Sequence, residues 1–507
     1  MYMVFTASKD TYITNKIIST TVRATDANLG HATTIDLFKL YTETLFTGEA
    51  NPIELSRGLV FFELDDVSSS LNGKVDFSHS SFKATLKLHD VQGNQVAPND
   101  YNLAVFALSQ SFDEGKGKDI AGLSFLDRAN WVTASLTTAG NIPWNSTGAF
   151  ASGTLGASDI DIIEDGVIGG TSTYLVKSQR FSSPSQNLEV DVTNIVSASM
   201  TDILPSHGFL IAYSGSQEHD HETRFVKRFA SRHTRNPYIR PKLIIEYDDS
   251  KTDNNENFEF NVTGSLFLDN FSRGAASNIL SGSANTEVKG SNCILLKLHT
   301  GSYEKYFTGS QSTISGISQT GQYVATFAID KYLSASVTST ETLEDFIVAS
   351  GSVVFGQEWL SLDENISYFT GSLKISSQNR THGVNAQKLR FALTNLRQTY
   401  KASDVPRLEV FITDIAAERK SVRIPIQLSS EVIPNLFYQI RDAYNGQILT
   451  PFTKTNNVTR VSNDKLGMYF IPSLKHLPKK RSYTIDFMTI INGVETQYLE
   501  NGVFRIE

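Results

Sequence analysis

The chain has 507 residues, 40% of them hydrophobic and 10% aromatic, enough apolar material for about three packed domains and unlike a disordered chain. A net charge of −8 argues against a protein that works by neutralising nucleic-acid phosphates or by docking a polybasic segment on a membrane. The single cysteine, Cys293, excludes an intramolecular disulfide framework and a Cys-based zinc site.

Taken in chain order, the opening MYMVFTASKDTYITNK has neither a basic n-region nor a long apolar core, so no secretory signal is expected. No apolar run reaches the ~20 residues of a membrane span. The expectation is a protein that folds in a cytoplasm. Strand signals then dominate. LVFFELDDV, KATLKLHDV, YNLAVFALS, NLEVDVTNIV, GFLIAYSG and PKLIIEYDD are short runs rich in Val, Leu, Ile and aromatics, several with the period-2 alternation of a half-buried strand. Gly, Asn, Asp and Ser clusters between them supply turns. Helical signals are confined to Val192–Leu204 and Glu341–Ser350. The fold class expected is all-β, with three tandem β-sandwich domains.

The polar segment DDSKTDNNEN marks the first boundary, giving a domain over residues 1–248 and a linker over 249–257. A central β-rich domain is expected over 258–416, with strands such as SNCILLKLHT, QYVATFAID and RLEVFITDI. Its recurrent Gly-Ser pairs read as turn chemistry. Residues 417–507, including SVRIPIQLSS, NLFYQIRDA and SYTIDFMTI, fit a small immunoglobulin-like sandwich.

Several segments of the first domain, taken together, resemble the DNRLRE-type (disaggregatase-related) β-sandwich family, which is also classed among carbohydrate-binding modules. They are Asp10-Thr11-Tyr12-Ile13, Asn28-Leu29-Gly30, Arg57-Gly58-Leu59-Val60, Phe112-Asp113-Glu114-Gly115, Asn130-Trp131, Ser231-Arg232 and Arg240-Pro241-Lys242-Leu243. The resemblance implies a jelly-roll-like domain over residues 9–247. Phe112 stands where the family has Trp, and His233 stands where it has Glu. Residues 151–180 look like a divergent loop. In this setting the acid- and glycine-rich stretch Ser111–Trp131 reads as a structural loop. Asp113 can cap its turn, Gly115 and Gly117 permit positive φ, and Trp131 plugs the sandwich edge.

Other constellations are weaker. EHDHE (Glu218–Glu222) offers His219 and His221 at a spacing that can share a metal on a strand, but it reads first as a solvated turn. The basic run Arg224–Lys242 contains Arg224, Arg228, Arg232 and Arg235, and suggests salt bridges or an interface with an acidic protein rather than nucleic acid. Arg232 can pair with Glu63 or Asp191. Together with Glu114 and Trp131, these arginines are the candidate interface residues. Motifs for nucleophilic, metal-dependent or phosphate-binding catalysis are absent, so no enzyme activity and no cofactor are expected.

The texture of the chain, including DTYITNKII, RATDANLG, DLFKLY and the repeated FTGS, resembles that of structural proteins of tailed bacteriophages, a setting that also suits β-domains low in cysteine and without an expected export signal. The expectation is a virion protein of the neck, tail or baseplate, assembled in the host cytoplasm. It would act by multivalent docking with other virion proteins in a symmetric ring, without nucleic acid or membrane. The alternative is an adhesin that binds host-surface glycan through an exposed aromatic platform at Trp131, Trp144 or Trp359.

Overall fold

The computed structural model describes residues 1–507 except 72, 92–99, 121–127, 255–257, 283, 330–341, 378–387, 416–429 and 492. The chain is all-β and separates into two compact units, Met3–Glu246 and Tyr247–Glu507 together with Met1–Tyr2.

The principal elements of the first unit are β1 (Lys9–Thr14), β2 (Thr34–Tyr41), β3 (Ile53–Phe61), β4 (Lys83–Leu88), β5 (Tyr101–Leu108), β6 (Leu188–Asp191), α1 (Thr193–Met200), β7 (Phe209–Tyr213), β8 (Arg224–Ala230) and β9 (Lys242–Glu246). One sheet runs β5–β7–β3–β2–β8, with β1 also paired to β3; a second runs β9–β4–β6. β4 alternates as its sequence requires, with Ala84, Leu86 and Leu88 fully buried and Thr85 and Lys87 between them. β3 lies inside its sheet and is buried almost throughout, which explains its continuous apolar run LVF. Phe112, Trp131 and Trp144 pack with Leu59, Leu108 and Leu210 in one core cluster. Helix α1 falls within the expected Val192–Leu204 stretch and buries Ile195, Val196 and Ala198.

The second unit contains β10 (Ile294–Thr300), α2 (Leu343–Ser350), β11 (Ser352–Leu360), β12 (Ser367–Ser376), β13 (Arg481–Ile491) and β14 (Val494–Ile506). Strands β10, β11 and β12 belong to a seven-stranded sheet over Leu296, Leu298, Tyr323, Phe355 and Trp359. Strands β13 and β14 belong to a five-stranded sheet, where β14 pairs along its length with β13. Helix α2 begins with a reciprocal capping box between Thr342 and Asp345 and stops at Gly351, which is left-handed.

The segment read as a linker is held more firmly than its composition suggests. Lys251 and Asp253 are buried; Thr252 bridges Asn463, and the Lys251 amide donates to Ser462 Oγ at 3.0 Å. Backbone bonds and an ion pair from Lys251 to Asp269 at 3.4 Å compensate the buried polarity that low hydrophobicity would otherwise leave in water. The remainder of that segment (255–257), the expected boundary at 416/417 and most of SVRIPIQLSS lie outside the described residues.

Candidate functional site

One polar cluster of the first unit joins three distant segments. Asp10 comes from β1, Glu114 from the Ser111–Trp131 loop, and Arg232 and His233 from the turn after β8. Asp10 is 1% exposed. Its Oδ2 accepts from the Arg232 amide, and its own amide donates to Glu114 Oε1 at 3.1 Å. Both Glu114 oxygens accept from the Arg232 guanidinium, at 2.6 and 3.0 Å. His233 Nε2 lies 3.2 Å from Glu114 Oε1, and its ring lies 4.5 Å from that of His31. Burial raises the Asp10 carboxyl to about 7, with Glu114 adding to the shift and the Arg232 amide opposing it. Burial and the neighbouring His233 lower the His31 pKa. Arg232 therefore pairs with Glu114, not with Glu63 or Asp191.

Glu114, Gly117 and Ala129 of the loop are held by interlocked backbones. Asn28 Nδ2 donates to the Glu114 and Ala129 carbonyls at 2.8 Å, and its Oδ1 accepts from the Gly117 amide at 2.8 Å. A Cβ on Gly30 would stand 1.9 Å from the Glu114 carbonyl oxygen, and one on Gly117 would stand 1.7 Å from the Asn28 carbonyl oxygen. Gly115 has the expected positive φ, +77°, whereas Gly117 is glycine for close approach and not for its φ. Asp113 does not cap its own turn: its carboxylate accepts from the Leu136 amide at 2.9 Å. Trp131 is buried in the core, so it presents no surface for contact.

EHDHE forms the end of a short helix, Gly215–His219, and the loop after it. Glu218 is turned inward, Asp220 is half-buried and Glu222 is exposed. Glu218, 2% exposed, clasps Arg57 with both oxygens, while Arg57 also donates to the Gly148 and Ala149 carbonyls and lies 3.5 Å from the centre of the Phe150 ring. Asp220 accepts from Lys39 and twice from Arg224. Although burial opposes it, the hydrogen bonds from Arg224 and Lys39 hold the Asp220 carboxyl below the ordinary range. His219 is exposed, and His221 stacks on Tyr41 at 4.9 Å. Among the described residues, neither histidine belongs to a group with metal-binding spacing.

A register shift in β8 between Arg224 and Lys227, opposite Lys39 and Leu37 of β2, is a β-bulge that turns both basic residues inward. Lys227 is wholly buried on Asp90 and the Pro184 carbonyl; Arg228 pairs with Asp36 at 3.0 Å. Arg224, Arg228, Arg232 and Glu114 thus have partners inside the unit, and Arg235 is exposed. The buried ion pairs of Arg57 and Lys39 are additions to the sequence reading. The signal for Lys39 was present: it follows Ile35 and Leu37 at i+4 and i+2, on the buried face of β2.

No protein-family model matches the chain, and no curated protein matches it. Among solved structures it is similar to a titin fragment titled "Anomalous substructure of Titin-A168169", at 8% identity and a TM-score of 0.15, over 52% of this chain and 98% of that one. It is also similar to the chicken CNTN1 FN1–FN3 domains, at 9% identity and a TM-score of 0.13, over 64% of this chain and 88% of that one.

Proposed function

We propose that the chain is a non-enzymatic structural component of a tailed-phage particle, in the neck, tail or baseplate region, that acts through protein–protein interfaces. The particle is suggested by the sequence texture, and the observation that supports assembly is the edge formed by β14. Among the described residues, this thirteen-residue strand has a ladder partner on its far side only at Arg505 and Ile506, opposite Thr399 and Tyr400. Val494, Leu499 and Val503 are each more than half exposed along it. An open edge with apolar side chains is a site where another chain can add a strand, and here those side chains alternate with the exposed charges of Glu495, Glu500 and Arg505. The occupant in this reading is a second copy of the chain or a neighbouring particle protein.

The basic run Arg224–Arg240 is a poor candidate for that contact, because its arginines and lysines largely have internal partners. All three tryptophans are buried, at 6% exposure or less, so none supplies the sugar-stacking platform that the adhesin reading required. Light scattering of the full chain and of Leu499→Lys/Val503→Lys, with and without particle extract, tests the edge. Mass spectrometry of purified particles tests the location. Wild-type chain entering a larger species while the double variant stays behind supports the reading; absence of the chain from purified particles ends it.

A further inference from the structure

The Asp10–Glu114–His233 cluster supports an inference separate from assembly. One carboxylate oxygen each from Asp10 and Glu114 and one ring nitrogen of His233 lie within 4.8 Å of one another. That spacing lets three ligand atoms close on one ion with modest side-chain movement. A second observation concerns Asp10 alone. The residue is 1% exposed, and its Oδ1 is buried with no hydrogen-bond partner among the described residues. An ionised oxygen there lacks a donor, and a protonated one lacks an acceptor. Native proteins rarely leave such a group unmatched without a bound ion or water.

We propose that Asp10, Glu114 and His233 bind a first-row divalent cation of the Zn²⁺ class, which staples β1, the Ser111–Trp131 loop and the turn after β8. One imidazole with two carboxylates suits a borderline ion, whereas Ca²⁺ and Mg²⁺ take all-oxygen shells. Arg232 on Glu114 is the outer-shell hydrogen bond that commonly orients a ligating carboxylate. The His31 ring lies 4.5 Å from the His233 ring, tilted by 42°, and limits the space into which His233 can turn. The three ligands are separated by more than a hundred residues of chain at each step. An ion there would bind the folded state and not the unfolded one, and would raise the melting temperature.

The test uses the full chain, stripped with chelator and titrated calorimetrically with Zn²⁺, Ca²⁺ and Mg²⁺ in separate runs, with melting temperatures recorded for each. Wild type is expected to take up one Zn²⁺ per chain with a rise in melting temperature, and neither hard cation should match it. His233→Gln keeps a hydrogen-bonding side chain at a partly exposed position and should weaken Zn²⁺ binding at least tenfold, abolishing the rise. Asp10→Asn should do the same, and circular dichroism identifies any variant that has not folded. His219→Gln/His221→Gln and Cys293→Ser should bind as wild type does. Absence of Zn²⁺ uptake by wild type, unchanged uptake by His233→Gln, or its loss in either control variant would overturn the proposal.

Discussion

The buried pair Arg57–Glu218 gives a sharp test of what holds the first unit together. Glu218→Ala leaves the Arg57 guanidinium, only 4% exposed, without its counter-charge. Its bonds to the Gly148 and Ala149 carbonyls and its contact with Phe150 survive, but they do not neutralise it. Removing one partner of a buried pair costs about 3–5 kcal/mol, because the remaining charge stays desolvated. For a unit of this size that corresponds to roughly 10 °C in melting temperature. Replacing both partners, as Arg57→Met/Glu218→Leu, should recover most of the loss, since two apolar groups of similar volume need no neutralising. The assay is differential scanning calorimetry of the full chain, resolved into one transition for each unit. Arg180→Ala is the control, because it removes an exposed partner of Asp100 and should leave the transition where it is. A Glu218→Ala transition within about 1 kcal/mol of wild type, or a double variant worse than the single one, would refute the reasoning.

Three further outcomes follow from the same structure. Gly117→Ala should lose at least about 3 kcal/mol by urea unfolding, since its Cβ meets the Asn28 carbonyl, whereas Gly215→Ala, with no atom within 4 Å, should stay within about 0.5 kcal/mol. Burial, aided by Lys242 and Lys87, lowers His89 to about 4 from the ordinary 6.5. The unfolded chain therefore takes up this proton first as pH falls. Stability should drop between about pH 6.5 and 4, by roughly 1–3 kcal/mol for a partly buried group, and His89→Gln should flatten the loss measured by melting temperature against pH. Acrylamide should quench tryptophan emission weakly in the folded chain and strongly in urea, because Trp131, Trp144 and Trp359 are all buried.

The strands were legible where burial is one-sided. KATLKLHDV alternates in sequence and in the structure, since each lysine of β4 points away from the core. Gly115 was legible by cause, through its positive φ, and Gly117 was not. Gly117 is required by a carbonyl 89 residues away in sequence, which no local rule reports. The basic run was legible as salt bridges in kind, and its partners were not, because a single bulge in β8 decides which residues turn inward. Asp10, Glu114 and the Ser231–His233 turn each stood within quoted segments. Their convergence is a property of strand order, and strand order cannot be read from spacing.

The pairing of β2 with β8 also bears on how the chain is made. Asp36 and Arg228 are 192 residues apart, yet they face each other across one ladder. A ribosome adding about 5–20 residues per second leaves β2 waiting for its neighbour on the order of ten seconds or more. During that interval β3 can cover one side of β2, but Ile35 and Leu37 lack their β8 partners and leave the other side an adhesive strip on a growing polypeptide. Synthesis of this molecule therefore places a demand on holding chaperones that its finished form conceals.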